Sequence, residues 1–355
     1  MSHRAGRERL GLKLVDWPEA DRLAWNRARQ PASPLDAVYG GATRWRSSTQ
    51  QMHENNYGYF LGWLKRGDNL APDSLPSTRV TRELVRAYLD HLESTVAPFT
   101  QGGRLQSLGA ILSAMAPETD WGWIKRAGWR IQGEAESVRD IDAKLRSAEE
   151  TLTLGLDLMQ AAEQDRFRTE HDRGKLHRDG LIIALLSYRP IRLANLTAIK
   201  IGEHLQRHGD GWRLSFTEDE GKSKCVLEVP WPAELVEHLE RYIERYRAGL
   251  LGGSEEPSGP KPLWVSRRGA MGEDAISAQI NGRTEAEFGV AINPHSFRHI
   301  CTTTMATEAP GDVLDAARVL GHTNPRTTEK YYNRATSVQA GRSYQAVIKA
   351  RRDRA

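Results

Sequence analysis

Two stretches near the end of the chain carry most of the information about its fold. Residues 294–299 read PHSFRH, and residues 320–332 read LGHTNPRTTEKYY. In the first stretch, His295 and Arg298 are three positions apart, so a helix there presents both side chains on one face. An imidazole and a guanidinium on one face form a candidate site for proton transfer and anion binding.

The second stretch predicts two helices with a break between them. Gly321 can end the first helix, and Asn324-Pro325 supplies a cap followed by proline at the first position of the next helix. His322 therefore lies at a helix end, and Tyr331 lies nine residues later on the following short helix. Taken alone, each residue has an ordinary explanation, as a helix cap or a half-buried aromatic.

Two further features lie upstream. In YRPIRLANL (188–196), Arg192 opens a helical turn shortly after a proline. Farther along, the polar turn EGKSK holds Lys222 between two strand-like runs, Trp212–Phe216 and Cys225–Val229, which predicts a β-hairpin with the lysine at its tip. An exposed turn lysine is common, but the order, spacing and secondary-structure context of all four features agree.

The combination resembles the tyrosine recombinases, the phage integrase family. Members of that family carry an arginine, a hairpin lysine, His-x-x-Arg, Leu-Gly-His and a tyrosine nine residues after that last histidine. The matching positions here are Arg192, Lys222, His295, Arg298, His322 and Tyr331. By motif, the resemblance covers about residues 170–340, and more weakly the helical residues 48–160.

Three departures from the family pattern affect the assignment. Asn195 stands where the family usually has an acidic residue three positions after the arginine. Arg189 is a rival for the role of Arg192, although the register with the following leucines favours Arg192. Tyr332 adjoins Tyr331, so the choice of nucleophile depends on the nine-residue count.

The resemblance implies a phosphoryl-transfer site. Two fork-shaped guanidiniums, Arg192 and Arg298, can hydrogen-bond the non-bridging oxygens of a phosphodiester and stabilise the charge that develops on them. The phenol of Tyr331 has an ordinary pKa near 10, so it needs a base, for which His295 is the candidate.

The remaining roles follow from the same resemblance. His322 would donate to a phosphate oxygen, and Lys222 would protonate the departing 5′ oxygen. The sequence shows no carboxylate cluster with metal-ligand spacing and no Gly-rich phosphate loop, so we expect no metal and no nucleotide cofactor.

Patterning along the chain predicts a mainly α fold with a small antiparallel β-sheet (α+β). Residues 1–47 are predicted to be a tail or loosely packed N-terminal arm, 48–165 a helical core-binding (SAM-like) DNA-binding domain, and 166–355 the catalytic domain with a C-terminal helix. Thr81 is a candidate helix cap. Apolar stripes at helical spacing mark three helices of the middle region: Tyr57, Phe60, Leu61 and Leu64; Leu84, Val85, Tyr88, Leu89 and Leu92; and Leu105, Leu108, Leu112 and Met115.

Composition narrows the class of protein further. Of 355 residues, 39% are hydrophobic and 27% charged, which is typical of a soluble globular chain. Two cysteines, Cys225 and Cys301, rule out a disulfide framework, and residues 1–10 lack the apolar run of a secretory signal, so we expect a cytoplasmic protein. The segment after Arg318 is rich in Lys and Arg, which favours a polyanionic partner.

The partners implied are double-stranded DNA, with inverted-repeat recombination sites, and further copies of the chain in a tetramer on DNA. Two alternatives remain open: a type IB topoisomerase-like enzyme, and a catalytically silent DNA-binding accessory protein. The residues are equally compatible with phage integration, transposition and resolution of dimers.

Overall fold

The computed structural model describes residues 10–31, 40–135, 146–165, 168–217, 227–253 and 258–308. The chain divides into two compact units, Met1–Arg139 and Asp140–Ala355, and each unit has its own hydrophobic core. No helix among the described residues is both long and apolar enough to cross a membrane.

The first unit is helical. Its helices are α1 (Glu19–Ala28), α2 (Ser47–Arg66), α3 (Pro76–Arg79), α4 (Arg82–Thr95), α5 (Pro98–Met115) and α6 (Gly122–Glu134). The three predicted apolar stripes lie on α2, α4 and α5 and face the core, where most of their residues are buried and Leu84 and Leu89 are partly buried. Thr81 caps α4, because its hydroxyl accepts a hydrogen bond of 3.2 Å from the Leu84 amide.

The prediction of a loosely packed arm over residues 1–47 is wrong for the part that the structure describes. Trp17 and Trp25 are buried in the core of the first unit. The Leu12 amide donates to the Gly58 carbonyl on α2 over 2.9 Å. A Cβ at Gly58 would lie 2.2 Å from the Leu12 carbonyl oxygen, so the missing side chain is what lets the segment lie against α2.

The second unit combines helices with two small sheets. Its helices are α7 (Ala148–Gln164), α8 (Glu170–Tyr188), α9 (Leu193–Ala198), α10 (Val236–Arg241), α11 (Arg247–Leu251), α12 (Glu273–Phe288) and α13 (Ser296–Glu308). A π-helical turn, Tyr242–Tyr246, joins α10 to α11. The central helix is α8, whose residues 176–186 are all buried.

The larger sheet has the strand order β4-β3-β2-β1-β5. Its strands are β1 (Lys200–Ile201), β2 (Leu205–His208), β3 (Gly211–Phe216), β4 (Leu227–Pro230) and β5 (Lys261–Pro262). All neighbours pair antiparallel except β1 and β2, which form one parallel bridge. A second sheet pairs β6 (Val265–Ser266) with β7 (Gly269–Ala270). The predicted hairpin is confirmed as β3 and β4, and the mainly helical α+β class is confirmed.

The boundary predicted at residue 165 is wrong, because α7 belongs to the second unit. Leu154 and Met159 on α7 are part of that unit's core. The helix crosses α8 closely at two glycines: a Cβ on Gly155 would lie 2.8 Å from the Gly180 carbonyl oxygen, and a Cβ on Gly180 would lie 2.6 Å from the Gly155 carbonyl oxygen. The division therefore falls between Arg139 and Asp140, ahead of α7.

Candidate active site

Arg192 is positioned by a sharp turn between α8 and α9. Pro190 excludes its predecessor from the α region, and Arg189 accordingly leaves the helix with φ −138° and ψ 88°. Arg192 is extended, at φ −66° and ψ 144°, and its carbonyl accepts the Leu196 amide over 2.9 Å to begin α9. Because Ile191 is buried beside it, the turn is anchored in the core and the half-buried Arg192 has a fixed backbone.

Arg298 lies in the first turn of α13 and reaches back to the same turn. Its side chain is almost fully buried, and Nη1 donates to the Pro190 carbonyl oxygen over 2.7 Å. The adjacent Phe297 is buried in the core and fixes the face of α13 that carries Arg298. The hydrogen bond therefore ties α13 to the loop that presents Arg192.

The two guanidiniums influence each other electrostatically. Burial, and then the positive charge of Arg192, lower the pKa of Arg298 to about 10. Two like charges held close in a desolvated place favour the binding of an anion. The arrangement is that of an anion site whose ligand carries several acceptor oxygens.

His295 is in the turn that precedes α13 rather than within the helix as predicted. Its carbonyl accepts the Arg298 amide over 3.1 Å, and Asn293 Oδ1 caps the turn by accepting the Ser296 amide over 3.1 Å. The residue is exposed, but neighbouring atoms displace part of the water around its ring. This desolvation, and then the charge of Arg298, lower the pKa of His295, so the imidazole is neutral near pH 7 and able to accept a proton.

His299 is a member of this group that the motif analysis missed. Its ring meets the ring of His295 edge-on, with centroids 5.0 Å apart. Burial lowers its pKa, and the charges of His295 and Arg298 add to that effect. The available signal was the spacing of four residues within PHSFRH, which places His299 one helical turn after His295.

Of the six predicted site residues, the structure brings Arg192, His295 and Arg298 together. The other three, Lys222, His322 and Tyr331, lie outside the described residues. Within the described part of the chain, the one cluster of potential metal ligands lies on α7, α8 and α10 rather than beside the arginines.

Comparison with known proteins identifies the family of the chain. The model of the Phage integrase family matches residues 157–337, which is half of the chain, and the chain belongs to that family. The match begins within α7, consistent with the inclusion of that helix in the second unit.

Several curated proteins are similar in sequence. Tyrosine recombinase XerD of Pseudomonas aeruginosa is 26% identical over 285 residues, covering 76% of this chain and 88% of that protein. Tyrosine recombinase XerC of Staphylococcus epidermidis is 27% identical over 164 residues, covering 46% of this chain and 51% of that protein. The chain thus spans about half the length of the XerC relatives it matches.

Solved structures share the fold. XerH site-specific recombinase bound to its difH substrate in a pre-cleavage complex superposes with a TM-score of 0.53 at 14% identity, over 80% of this chain and 76% of that one. A lambda integrase(75-356) dimer bound to a COC′ core site superposes with a TM-score of 0.50 at 17% identity, over 84% of this chain and 93% of that one. At these identities the likeness is one of fold.

Proposed function

We propose that the chain is a site-specific DNA recombinase that cuts and rejoins DNA through a covalent bond between Tyr331 and a 3′-phosphate. The observation that carries this proposal is the buried Arg298, fixed by the Pro190 carbonyl and held beside Arg192. A phosphodiester offers two non-bridging oxygens for such a pair. Their charge grows as phosphorus becomes five-coordinate, so the pair stabilises the transition state more than the ground state.

The reaction balances with the residues assigned by motif. The Tyr331 oxygen attacks phosphorus, a new P–O bond forms, and the bond from phosphorus to the 5′ oxygen breaks. His295 accepts the phenol proton, which suits its lowered pKa. Lys222 gives a proton to the departing 5′ oxygen, and His322 donates a hydrogen bond to a non-bridging oxygen.

Rejoining is the reverse of this step with a new partner strand. The phosphotyrosyl bond keeps the energy of the phosphodiester, so the 5′ hydroxyl of another strand can attack it and release Tyr331. No nucleotide hydrolysis and no metal are required for the balance. The expected product is an exchanged strand rather than a hydrolysed one.

We further propose the partners that this chemistry requires. Exchange between two duplexes uses four active sites, so we infer a tetramer on double-stranded DNA with inverted-repeat sites, acting in the cytoplasm on chromosomal, plasmid or mobile-element DNA. The first unit is the candidate core-binding domain and the second the catalytic domain. The basic segment Ser337–Ala355 is the candidate connector between copies; deleting the residues after Ala340 should leave single-site binding intact and abolish pairing of duplexes.

The decisive experiment traps the covalent intermediate. A nicked suicide substrate releases a short fragment after cleavage, so the wild type accumulates a protein–DNA adduct that is visible on a denaturing gel. Tyr331→Phe should form none while binding DNA normally, and Tyr332→Phe should react like the wild type. Adducts from the Tyr331 variant but not from the Tyr332 variant would move the nucleophile by one residue.

The same assay distinguishes a recombinase from the two alternative functions. A silent DNA-binding protein forms no adduct with any substrate. A type IB topoisomerase-like enzyme forms adducts and relaxes supercoiled DNA, but does not join strands from two different duplexes. Joint molecules between two labelled duplexes therefore identify a recombinase.

The role of Lys222 is tested through the leaving group. A 5′-bridging phosphorothiolate releases a thiolate, which departs without needing a proton. Lys222→Ala should cleave ordinary DNA poorly and the phosphorothiolate nearly as well as the wild type does. A variant that stays impaired on both substrates would instead use the lysine for phosphate binding.

A further inference from the structure

A cluster of one carboxylate and two imidazoles spans three helices of the second unit. Glu163 is near the end of α7, His177 is within α8, and His238 is on α10. One donor atom from each lies within 4.8 Å of the other two, a spacing that a single metal ion can bridge after small side-chain rotations. Nothing in the proposed recombination chemistry uses these residues.

His177 is oriented as metal-binding histidines usually are. Its Nε2 is 2.9 Å from the His238 carbonyl oxygen, so Nε2 carries the hydrogen and donates it. The lone pair is therefore on Nδ1, which is buried and, among the described residues, has no hydrogen-bond partner. A backbone carbonyl that fixes the tautomer and ring orientation is the common outer partner of a ligating histidine.

His238 supplies a second buried ring nitrogen, Nδ1, without a hydrogen-bond partner among the described residues. The two imidazole rings lie 5.8 Å apart between centroids. Buried polar atoms without partners are rare and costly, so two of them next to one carboxylate call for a ligand that satisfies both.

Glu163 supplies the negative charge of the cluster. Its Oε1 accepts from Arg241 Nη1, and the other terminal nitrogen of Arg241 donates to Glu237. The guanidinium is thus shared between two carboxylates, and Glu163 has a second oxygen with which to bind a cation. Ligating carboxylates are commonly held by an outer hydrogen bond of this kind.

We propose that Glu163, His177 and His238 form a zinc-binding site. Two imidazoles and one carboxylate supply three protein ligands, and water can complete a tetrahedral set around zinc. The nitrogen donors disfavour Mg²⁺ and Ca²⁺, and among divalent first-row metals Zn²⁺ binds such sites more tightly than Mn²⁺ or Fe²⁺.

Zinc at this place would act on the fold of the second unit. The ligands come from α7, α8 and α10, so one ion fastens the helix that opens the unit to its central helix and to the helix after the hairpin. Binding to the folded state alone raises thermal stability with the logarithm of the metal concentration once this exceeds Kd. The role we assign is structural, and it is independent of Tyr331 and the two arginines.

The test uses the full chain, stripped of metal with a chelator and then titrated with Zn²⁺ in competition with a chromophoric chelator. We expect one Zn²⁺ per chain at the site and a rise in Tm, with Mg²⁺ giving neither. His238→Gln and Glu163→Gln should each weaken zinc binding at least about tenfold, as loss of even an outer-shell partner does. His171→Gln, on α8 but outside the cluster, is the matched control and should bind like the wild type.

The variants also show which result overturns the proposal. His238 and Glu163 are only partly buried, so their variants should stay folded by circular dichroism, whereas His177→Gln alters a fully buried position. Stoichiometric zinc binding that persists in both His238→Gln and Glu163→Gln places the metal elsewhere and refutes the site. Absence of zinc binding in the folded wild type refutes it as well.

Discussion

Replacing Arg298 by methionine should separate a catalytic arginine from a structural one. Methionine keeps an unbranched apolar stem but removes the charge. Burial and the charge of Arg192 lower the pKa of Arg298 to about 10, well below the ordinary value of an arginine, so the charged form is disfavoured in the folded protein. At about 1.4 kcal/mol for each tenfold change in proton affinity, the cost is roughly 3 kcal/mol.

The substitution also removes a stabilising hydrogen bond. The bond from Arg298 to the Pro190 carbonyl, 2.7 Å long, is a hydrogen bond to a charged group and contributes about 1.5–3 kcal/mol. The two effects are of similar size, so Arg298→Met should leave the free energy of unfolding within about 2 kcal/mol of the wild-type value. Adduct formation should nevertheless fall by about 10²-fold or more, because a charged transition-state donor is gone.

Arg178 provides the matched control in the same unit. It is equally buried and also donates to a backbone carbonyl, that of Val265, over 2.9 Å, but it forms a salt bridge with the buried Asp179 at 2.7 Å. Arg178→Met removes the donors to one oxygen of that carboxylate, while Arg283 still pairs with the other oxygen at 2.9 Å, so the cost should be about 3 kcal/mol. Urea denaturation of the full chain, followed through the unfolding of the second unit, measures the free energy of unfolding of both variants. A loss of 3 kcal/mol or more in Arg298→Met would show that Arg298 stabilises the fold, and would refute the interpretation of a site strained in the absence of phosphate.

Three further predictions concern the same unit. Gly180→Ala should destabilise it by about 1–3 kcal/mol through overpacking where α7 crosses α8. Gly282→Ala, at a helical position with open space around it, should instead stabilise it by up to about 1 kcal/mol. Equal effects of the two variants in urea denaturation would contradict close packing of α7 on α8 at Gly180. The pKa of His295 is lowered from 6.5, so the cleavage rate at subsaturating DNA should fall only when the pH is below 6.5. A cleavage rate that already falls with decreasing pH above 6.5 would exclude His295 as the base. Arg192→Ala should reduce cleavage about 10²-fold or more, while Arg189→Ala has a much smaller effect. Similar losses for the two variants in the suicide-substrate assay would contradict the assignment of Arg192, rather than Arg189, as the catalytic arginine.

Local features of the fold were predictable from the sequence. The stripes of α2, α4 and α5, the cap at Thr81 and the β3–β4 hairpin all depend on residues within one or two turns of each other, and such spacing is visible in a sequence. The same holds for the candidate site: the spacing of His295 and Arg298 predicts a helix there, and the observed α13 begins at Ser296, one residue after His295.

The features that were missed depend on long-range packing. Periodicity shows which face of α7 is apolar, but not whether Leu154 packs on the unit before or after it. Trp17 and Trp25 lie in a stretch with weak periodicity, and the backbone just before them packs against Gly58 and Gly62, more than 40 residues away on α2. The bond between Arg298 and the Pro190 carbonyl spans 108 residues, and no local pattern encodes it.

Helix α8 connects these separate observations. It is packed against α7 at Gly180, carries His177 of the proposed zinc site, and ends at the turn whose Pro190 carbonyl holds Arg298. Because a buried helix shifts as a rigid element, a change at the glycine crossing should also move that carbonyl. Small misplacements of a catalytic group are costly, so Gly180→Ala should lower the cleavage rate of the protein that remains folded, and Gly282→Ala should not. A Gly180 variant that is destabilised yet cleaves at the wild-type rate per folded molecule would show that the position of Arg298 is set by α13 alone.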